Sequence, residues 1–198
     1  MLTKSLIRCL LTLICFSTGL IGASAENLFP EISVNGRSAY IIPEAAAASE
    51  MARMFGQNPN PKITGYWTPT AKEIEAADQA ICAFIHKATF NGAIAFPDVV
   101  KAPEKFVPDA VGKGTYEIGR IDKNIKSYRV QFVGLIWNGK KQLFANYFEW
   151  RDWLKEVDPA KVLIVVNDGG YHFWQIQYNV ETASCENLQI NGPWASDH

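Results

Sequence analysis

The sequence is short of the signals that announce a reaction. It has no Gly-x-Ser-x-Gly elbow, so an α/β-hydrolase reading has no support. It has no phosphate-binding loop and no dinucleotide fingerprint. Charge of one sign is also lacking. A net charge of −1 gives no reason to expect nucleic acid or anionic lipid as a partner. Beyond residue 25 no apolar run approaches the length of a membrane-spanning helix. Histidine is scarce, three residues in 198, so His86 and His172 each call for inspection. No internal repeat and no long low-complexity tract is present.

What the chain does contain begins at its start. Lys4 and Arg8 precede an apolar stretch, Leu10 to Phe16, extended by Leu20 and Ile21. Ala23-Ser24-Ala25 then offers the small residues that a signal peptidase takes, with Glu26 as the first mature residue. Residues 1–25 read as a cleavable signal peptide. Thr12, Ser17 and Thr18 interrupt the run, which makes it a poor membrane anchor. Leu13 and Ile14 before Cys15 are too bulky for a lipoprotein signal. Periplasmic or secreted location is the expectation, with no membrane span after cleavage. Removing the leader leaves about 170 residues, comfortable for one domain and small for two. Residues 26–66 read as an N-terminal leader with a short helix, and 67–198 as a single α+β domain.

Of the four cysteines, Cys9 and Cys15 fall in the leader, which leaves Cys82 and Cys185. An even pair in an oxidising compartment reads first as a disulfide. The loop closed would span about 100 residues, for which the chain-entropy account gives on the order of 4–5 kcal/mol.

The secondary-structure pattern runs from helices to strands. Asn35-Gly36 between Ile32, Val34, Tyr40 and Ile41 fits a short hairpin. Pro43 opens an Ala-rich helix that reaches Phe55. Thr70 and Glu73 form a capping box for a helix over 70–89, with Ile74, Ala77, Ile81, Phe84, Ile85 and Ala88 on one stripe. Residues 90–126 read as a long ordered loop. An antiparallel meander follows. Its strands are 127–137, 141–148, a buried 162–166, 171–180 and a last short strand about 188–190, with Asn138-Gly139 and Asp168-Gly169-Gly170 as turns. Residues 149–155, carrying Trp150 and Trp153, read as a short helix or turn. The expected architecture is one long helix packed on a four- to five-stranded antiparallel sheet.

Several constellations could carry chemistry. Asp78, Cys82 and His86 recur every four residues on the helix, and with Cys185 they would make a ligand set suited to zinc. A disulfide would consume both sulfurs and leave the Asp and His as ordinary surface groups. Cys82 with His86 could instead form a thiol nucleophile and base. His172 follows Asp168, a pairing that can serve acid–base chemistry, although Asp168 and the two glycines also simply make a turn. Glu149, Asp152 and Asp158 could pair as carboxylates for glycoside chemistry. The aromatics are the fullest signal. Six tryptophans follow the leader, and both faces of the 171–180 strand carry a large ring. Trp150, Trp153, Phe173 and Trp174 are therefore the candidate binding residues, unless neighbouring segments cover them.

Four segments carry a resemblance. They are Trp67-Thr68-Pro69-Thr70, the run Tyr128 to Gly134, Ala145-Asn146-Tyr147-Phe148, and Asp168-Gly169-Gly170 leading to Phe173-Trp174, Tyr178 and Asn191-Gly192. Over roughly residues 65–195 the chain resembles a group of small exported bacterial proteins of unknown function. The resemblance implies one domain and an envelope location, and supplies no activity or cofactor. Tyr178-Asn179 departs from the Tyr-Asp that the group often has. The leading expectation is a non-enzymatic binding or inhibitor-type domain that needs no cofactor and meets another envelope protein or a small ligand. The alternatives are a hydrolase using His172 and Asp168 or a metal at His86, and an oligomeric structural protein of the envelope.

Overall fold

The computed structural model describes residues 28–56, 62–90, 118–166 and 169–191. The signal-peptide reading of 1–25, most of the 90–126 segment, Asp168 and Trp194 lie outside the described residues.

Two Asn-Gly dipeptides set two hairpins. Asn35 and Gly36 take φ values of 48° and 80°, and Asn138 and Gly139 take 49° and 76°. Paired left-handed residues give a two-residue turn the twist of its flanking strands. The first turn joins β1 (Glu31–Val34) to β2 (Arg37–Ile42), and the second joins β4 (Tyr128–Trp137) to β5 (Lys140–Glu149). With β3 (Ile63–Trp67), β6 (Phe173–Asn179) and β7 (Ser184–Ile190) they form a seven-stranded sheet ordered β1-β2-β4-β5-β6-β7. β3 shares one edge of β4 with β2. β2 pairs parallel with Val130 to Val133, and β3 pairs antiparallel with Gly134 to Trp137. Gly134 stands where the two meet. A Cβ there would run into the Trp67 carbonyl oxygen and lie 2.8 Å from its indole, so the close approach of β3 needs glycine.

The fold is α+β, and the expected sheet is corrected in size. β4 to β7 are the antiparallel meander. Residues 26–66, read as a leader, contribute three further strands to the same sheet. The β2–β4 pair is parallel, which requires a long crossover, and α1, β3 and α2 lie along it. The expectation of one long helix is corrected as well. α1 (Glu44–Phe55) and α2 (Ala71–Phe90) pack on opposite faces. α2 starts at the capping box read from sequence. The Thr70 amide donates to Glu73 Oε2 at 2.8 Å and the Glu73 amide to Thr70 Oγ1 at 3.3 Å. Ile74, Ala77, Ile81, Ile85 and Ala88 are buried against the sheet, with Phe84 at the margin.

Each face carries its own core. Beneath α2 lie Val130, Phe132, Leu143, Tyr147, Trp174, Ile176 and Tyr178. Beneath α1 and the 150–166 segment lie Val133, Leu135, Phe144, Phe148 and Phe173, together with Leu154, Leu163 and Ile164 from that segment. Strand alternation explains the division, because neighbours in sequence point to opposite faces.

The expected strand at 162–166 does not form. The segment is an irregular strap, and side chains take over the backbone bonds that a ladder would make. On the sheet side, Gln131 donates to the carbonyls of Pro159 at 2.9 Å and Val162 at 2.6 Å, and its oxygen accepts from the Ile164 amide at 2.8 Å. Asn146 donates to the Ile164 carbonyl at 2.9 Å. On the outer side, Glu50 of α1 accepts from the Leu163 amide at 2.8 Å and Arg53 donates to its carbonyl. Gln131, Asn146 and Gln175 are cross-strand neighbours on β4, β5 and β6. Their amides continue one another and reach Asn191, which donates to the Val166 carbonyl at 2.5 Å.

Gln131→Leu should therefore destabilise the protein by about 3 kcal/mol, because it leaves a buried amide and carbonyls of the strap unpartnered. Urea unfolding monitored by circular dichroism measures this. A loss under about 1 kcal/mol would show that the ladder does not hold the strap.

Candidate functional site

The aromatic residues chosen from sequence separate in the structure. Trp174 is fully buried beneath α2, stacked on Tyr147 at 3.9 Å between centroids with 2° between planes. Such a pair adds about 0.5–1.5 kcal/mol beyond its buried area, which makes it part of the core and closes it to a ligand. Phe173 is buried on the opposite face, beneath the strap. Trp150 is half-buried with the Arg129 guanidinium 4.3 Å above its ring. Only Trp153 of the four is exposed, at 51 %, and its ring leans on Phe173 at 5.6 Å. Of the four residues expected to bind, Trp153 alone is left broadly open to solvent.

The metal set does not converge. Four residues exceed one helical turn by about 40°, so a line of three rotates by about 80° around the helix. Asp78 is wholly buried, Cys82 is intermediate, and the His86 side chain is 73 % exposed. His86 Nδ1 faces Asp122 at 3.1 Å. Among the described residues no three His, Cys, Asp or Glu side chains come together to hold a metal ion.

Asp78 has other partners. Its Oδ1 accepts from the Tyr147 hydroxyl at 2.8 Å. Its Oδ2 accepts from Arg37 Nη2 at 2.7 Å and Asn35 Nδ2 at 2.5 Å. Arg37 is itself buried, and its Nη2 also donates to Cys82 Sγ at 2.6 Å while Nη1 donates to the Ile125 carbonyl. Burial opposes the charge of Arg37, but Tyr147 and Asp78 outweigh it and raise its pKa. Burial pushes the Tyr147 hydroxyl well above its usual range, and Asp78 adds to the effect. Beside this ion pair lies a cavity of about 240 Å³, bounded by Asn35, Arg37, Gln79, Cys82, Ile125 and Lys126. The disulfide expected between Cys82 and Cys185 is not formed in the structure: both residues are half-buried and stand as free thiols.

His172 finds a carboxylate that sequence order did not assign to it. Its Nδ1 lies 2.6 Å from Glu149 Oε2, at the end of β5. Sequence alone offers Glu149 for a different pairing, with Asp152 and Asp158. Register explains the meeting. Phe148 pairs with Phe173, so the next residue on one strand meets the previous one on the other. Arg151 completes the cluster. Its Nη2 is 2.5 Å from Glu149 Oε2 and lies over the edge of the His172 ring, 2.5 Å from Nδ1 and 3.0 Å from Nε2. Ser127 Oγ is 3.1 Å from Glu149 Oε1. The hydroxyl thus meets the carboxylate, whereas a Ser nucleophile would need the imidazole.

Compared with known proteins, the chain matches no family model, no curated protein and no solved structure.

Burial first, and then Arg151, lowers the His172 pKa from its ordinary 6.5. Between pH 6.5 and that lowered value the unfolded chain holds a proton that the folded protein refuses. Folding stability should therefore fall on acidification through this window and be unaffected by His172 above it. The His172→Gln variant should lose that part of the slope. Denaturation midpoints measured from pH 7.5 to 5 for both proteins check it, and identical slopes would refute it.

Proposed function

We propose that this protein is an exported, non-enzymatic binding domain of the bacterial periplasm that docks another envelope protein through the layer formed by α1 and the 150–166 strap. Export rests on the charged, apolar and small-residue pattern of residues 1–25. One observation carries the binding reading. The exposed large apolar side chains among the described residues are Leu28, Phe55 and Trp153; Phe55 and Trp153 belong to that layer, and Leu28 borders it through its neighbour Phe29. Leu28 precedes Phe29, whose amide bonds to the strap at the Ala160 carbonyl. Phe55 ends α1 with its ring edge-on to Phe144 at 5.7 Å. Trp153 stands on Phe173. An indole held on a packed ring and left half in solvent has little freedom to lose on binding, which favours it as a hot spot. Arg151, Asp152 and Lys155 around it supply a mixed-charge rim suited to a protein surface.

A photo-cross-linking residue placed at Lys155, in protein isolated from the exported fraction, tests this. Wild-type surroundings should give a discrete cross-linked partner, and Trp153→Ala should weaken binding of that purified partner by about 10- to 100-fold. Circular dichroism of the variant should be unchanged. Binding that survives Trp153→Ala and Phe55→Ala together would overturn the reading.

The 2.6 Å contact of His172 with Glu149 favours a second reading, a hydrolase in which these two act as acid and base. It requires hydrolysis of an envelope substrate to vanish in both His172→Ala and Glu149→Gln. Activity insensitive to either would remove it.

A further inference from the structure

Cys82 and Cys185 are the only thiols among the described residues, and they occupy unequal surroundings. Cys82 projects from α2 into the wall of the cavity of about 240 Å³, where Arg37 and Lys126 supply positive charge. The Arg37 guanidinium is on its sulfur at 2.6 Å. Cys185 sits on β7, packed against the core cluster that contains Ile81 and Ile85 of α2. α2 and β7 touch directly. Burial and the Asp78 carboxylate raise the Cys82 thiol, but Arg37 works against that rise. Burial, then Cys82 itself, then Glu186 push the Cys185 thiol up to about 12. Only Cys82 of the two lines the cavity and has a cation on its sulfur.

We propose that the two cysteines form a redox pair of fixed polarity, in which Cys82 meets an external disulfide oxidant in the Arg37 cavity and Cys185 resolves the product. Cys82 gives its proton to solvent, and its thiolate attacks one sulfur of the oxidant RSSR. That S–S bond breaks, the Cys82–SR bond forms, and RS⁻ leaves and takes a proton. Cys185 then loses its proton and attacks the Cys82 sulfur. The Cys82–SR bond breaks, the Cys82–Cys185 bond forms, and the second RS⁻ leaves. The protein gives up two electrons and two protons, and RSSR becomes two RSH. Thiolate stabilisation by a neighbouring guanidinium is the usual way in which one cysteine of a pair becomes the attacking one. The bond would join α2 to the edge strand β7, so oxidation would tie the long helix to the margin of the sheet.

The test uses the full chain in a Cys9→Ser, Cys15→Ser background, which keeps Cys82 and Cys185 as its two thiols and serves as wild type, reduced and then exposed to oxidised glutathione, with intact mass read over time. Wild type should become two hydrogens lighter with no lasting adduct. Cys185→Ser should accumulate one glutathione adduct at Cys82, at least about tenfold faster than Cys82→Ser takes one at Cys185. Arg37→Gln added to Cys185→Ser should slow the adduct. Should Cys185→Ser fail to fold, Cys185→Ala and brief-exposure peptide mapping of wild type, where the transient adduct should map to Cys82, read the same order. Two free thiols in fully exposed wild type would overturn the pair. Equal adduct rates on the two single variants, or a transient adduct at Cys185, would overturn the polarity.

Discussion

A sheet covered on both faces has no water for its polar side chains, and on the α1 face four amides answer that constraint. Gln131, Asn146, Gln175 and Asn191 run across β4, β5, β6 and the end of β7, each within hydrogen-bond reach of the next. An amide is suited to this because it both donates and accepts, so a row of them can hand bonds along and still serve the backbone beside it. What they serve is the strap. Its carbonyls and amides alternate between the ladder below and Glu50 and Arg53 of α1 above. Leu163 and Ile164 can then be buried in a segment that belongs to no sheet. Without the ladder those backbone groups would be buried bare, at about 1–3 kcal/mol each. The position of Trp153, at the head of the same segment, depends on this arrangement.

The opposite face meets the same constraint with charge. Asp78 points into the core from α2 and gathers Tyr147 from β5, Arg37 from β2 and Asn35 from the β1–β2 turn. A carboxylate without partners there would be far costlier than an amide, and these three donors, with the Cys82 thiol 4.0 Å away as a fourth, make its burial tolerable. The two faces therefore divide the work. Amides hold an irregular segment on one side, and a buried ion pair orients the first hairpin and the long helix on the other. The parallel placement of β2 against β4 is consistent with this, since Arg37 lies at the start of β2 and its carboxylate lies on α2.

Local signals in the sequence survive into the structure, and pairings between distant segments do not show in it. Both Asn-Gly turns, the Thr70–Glu73 capping box and the alternation of Trp174, Ile176 and Tyr178 were legible, because each is settled by residues a few positions apart. The parallel partner of β2 was not, since no residue near Arg37 announces a strand that lies some ninety positions away. The Val162–Val166 run was misleading for a physical reason. Its β-branched residues favour extended backbone, but side chains took its hydrogen bonds and left no ladder. At the candidate sites, helical spacing placed Asp78, Cys82 and His86 on a common line and missed the rotation that sends one to the core and one to solvent. Glu149 was visible as a carboxylate, but its meeting with His172 needed the β5–β6 register.

The burial pattern also limits where recognition can occur. In a sheet with one bare face, the aromatics of β6 would form a platform, and Phe173 and Trp174 would be its centre. Here α2 covers one and the strap covers the other. Recognition is then left to what the covering layers expose, and these differ. The α2 side ends in a cavity edged by cations and a thiol. The strap side ends in an indole on a packed ring. The first suits small, polar, electrophilic chemistry, and the second suits a protein surface with a hollow for one ring. Because separate polar networks hold the two, a partner seated on the strap need not disturb the cysteines, and closure of the cysteines need not move Trp153.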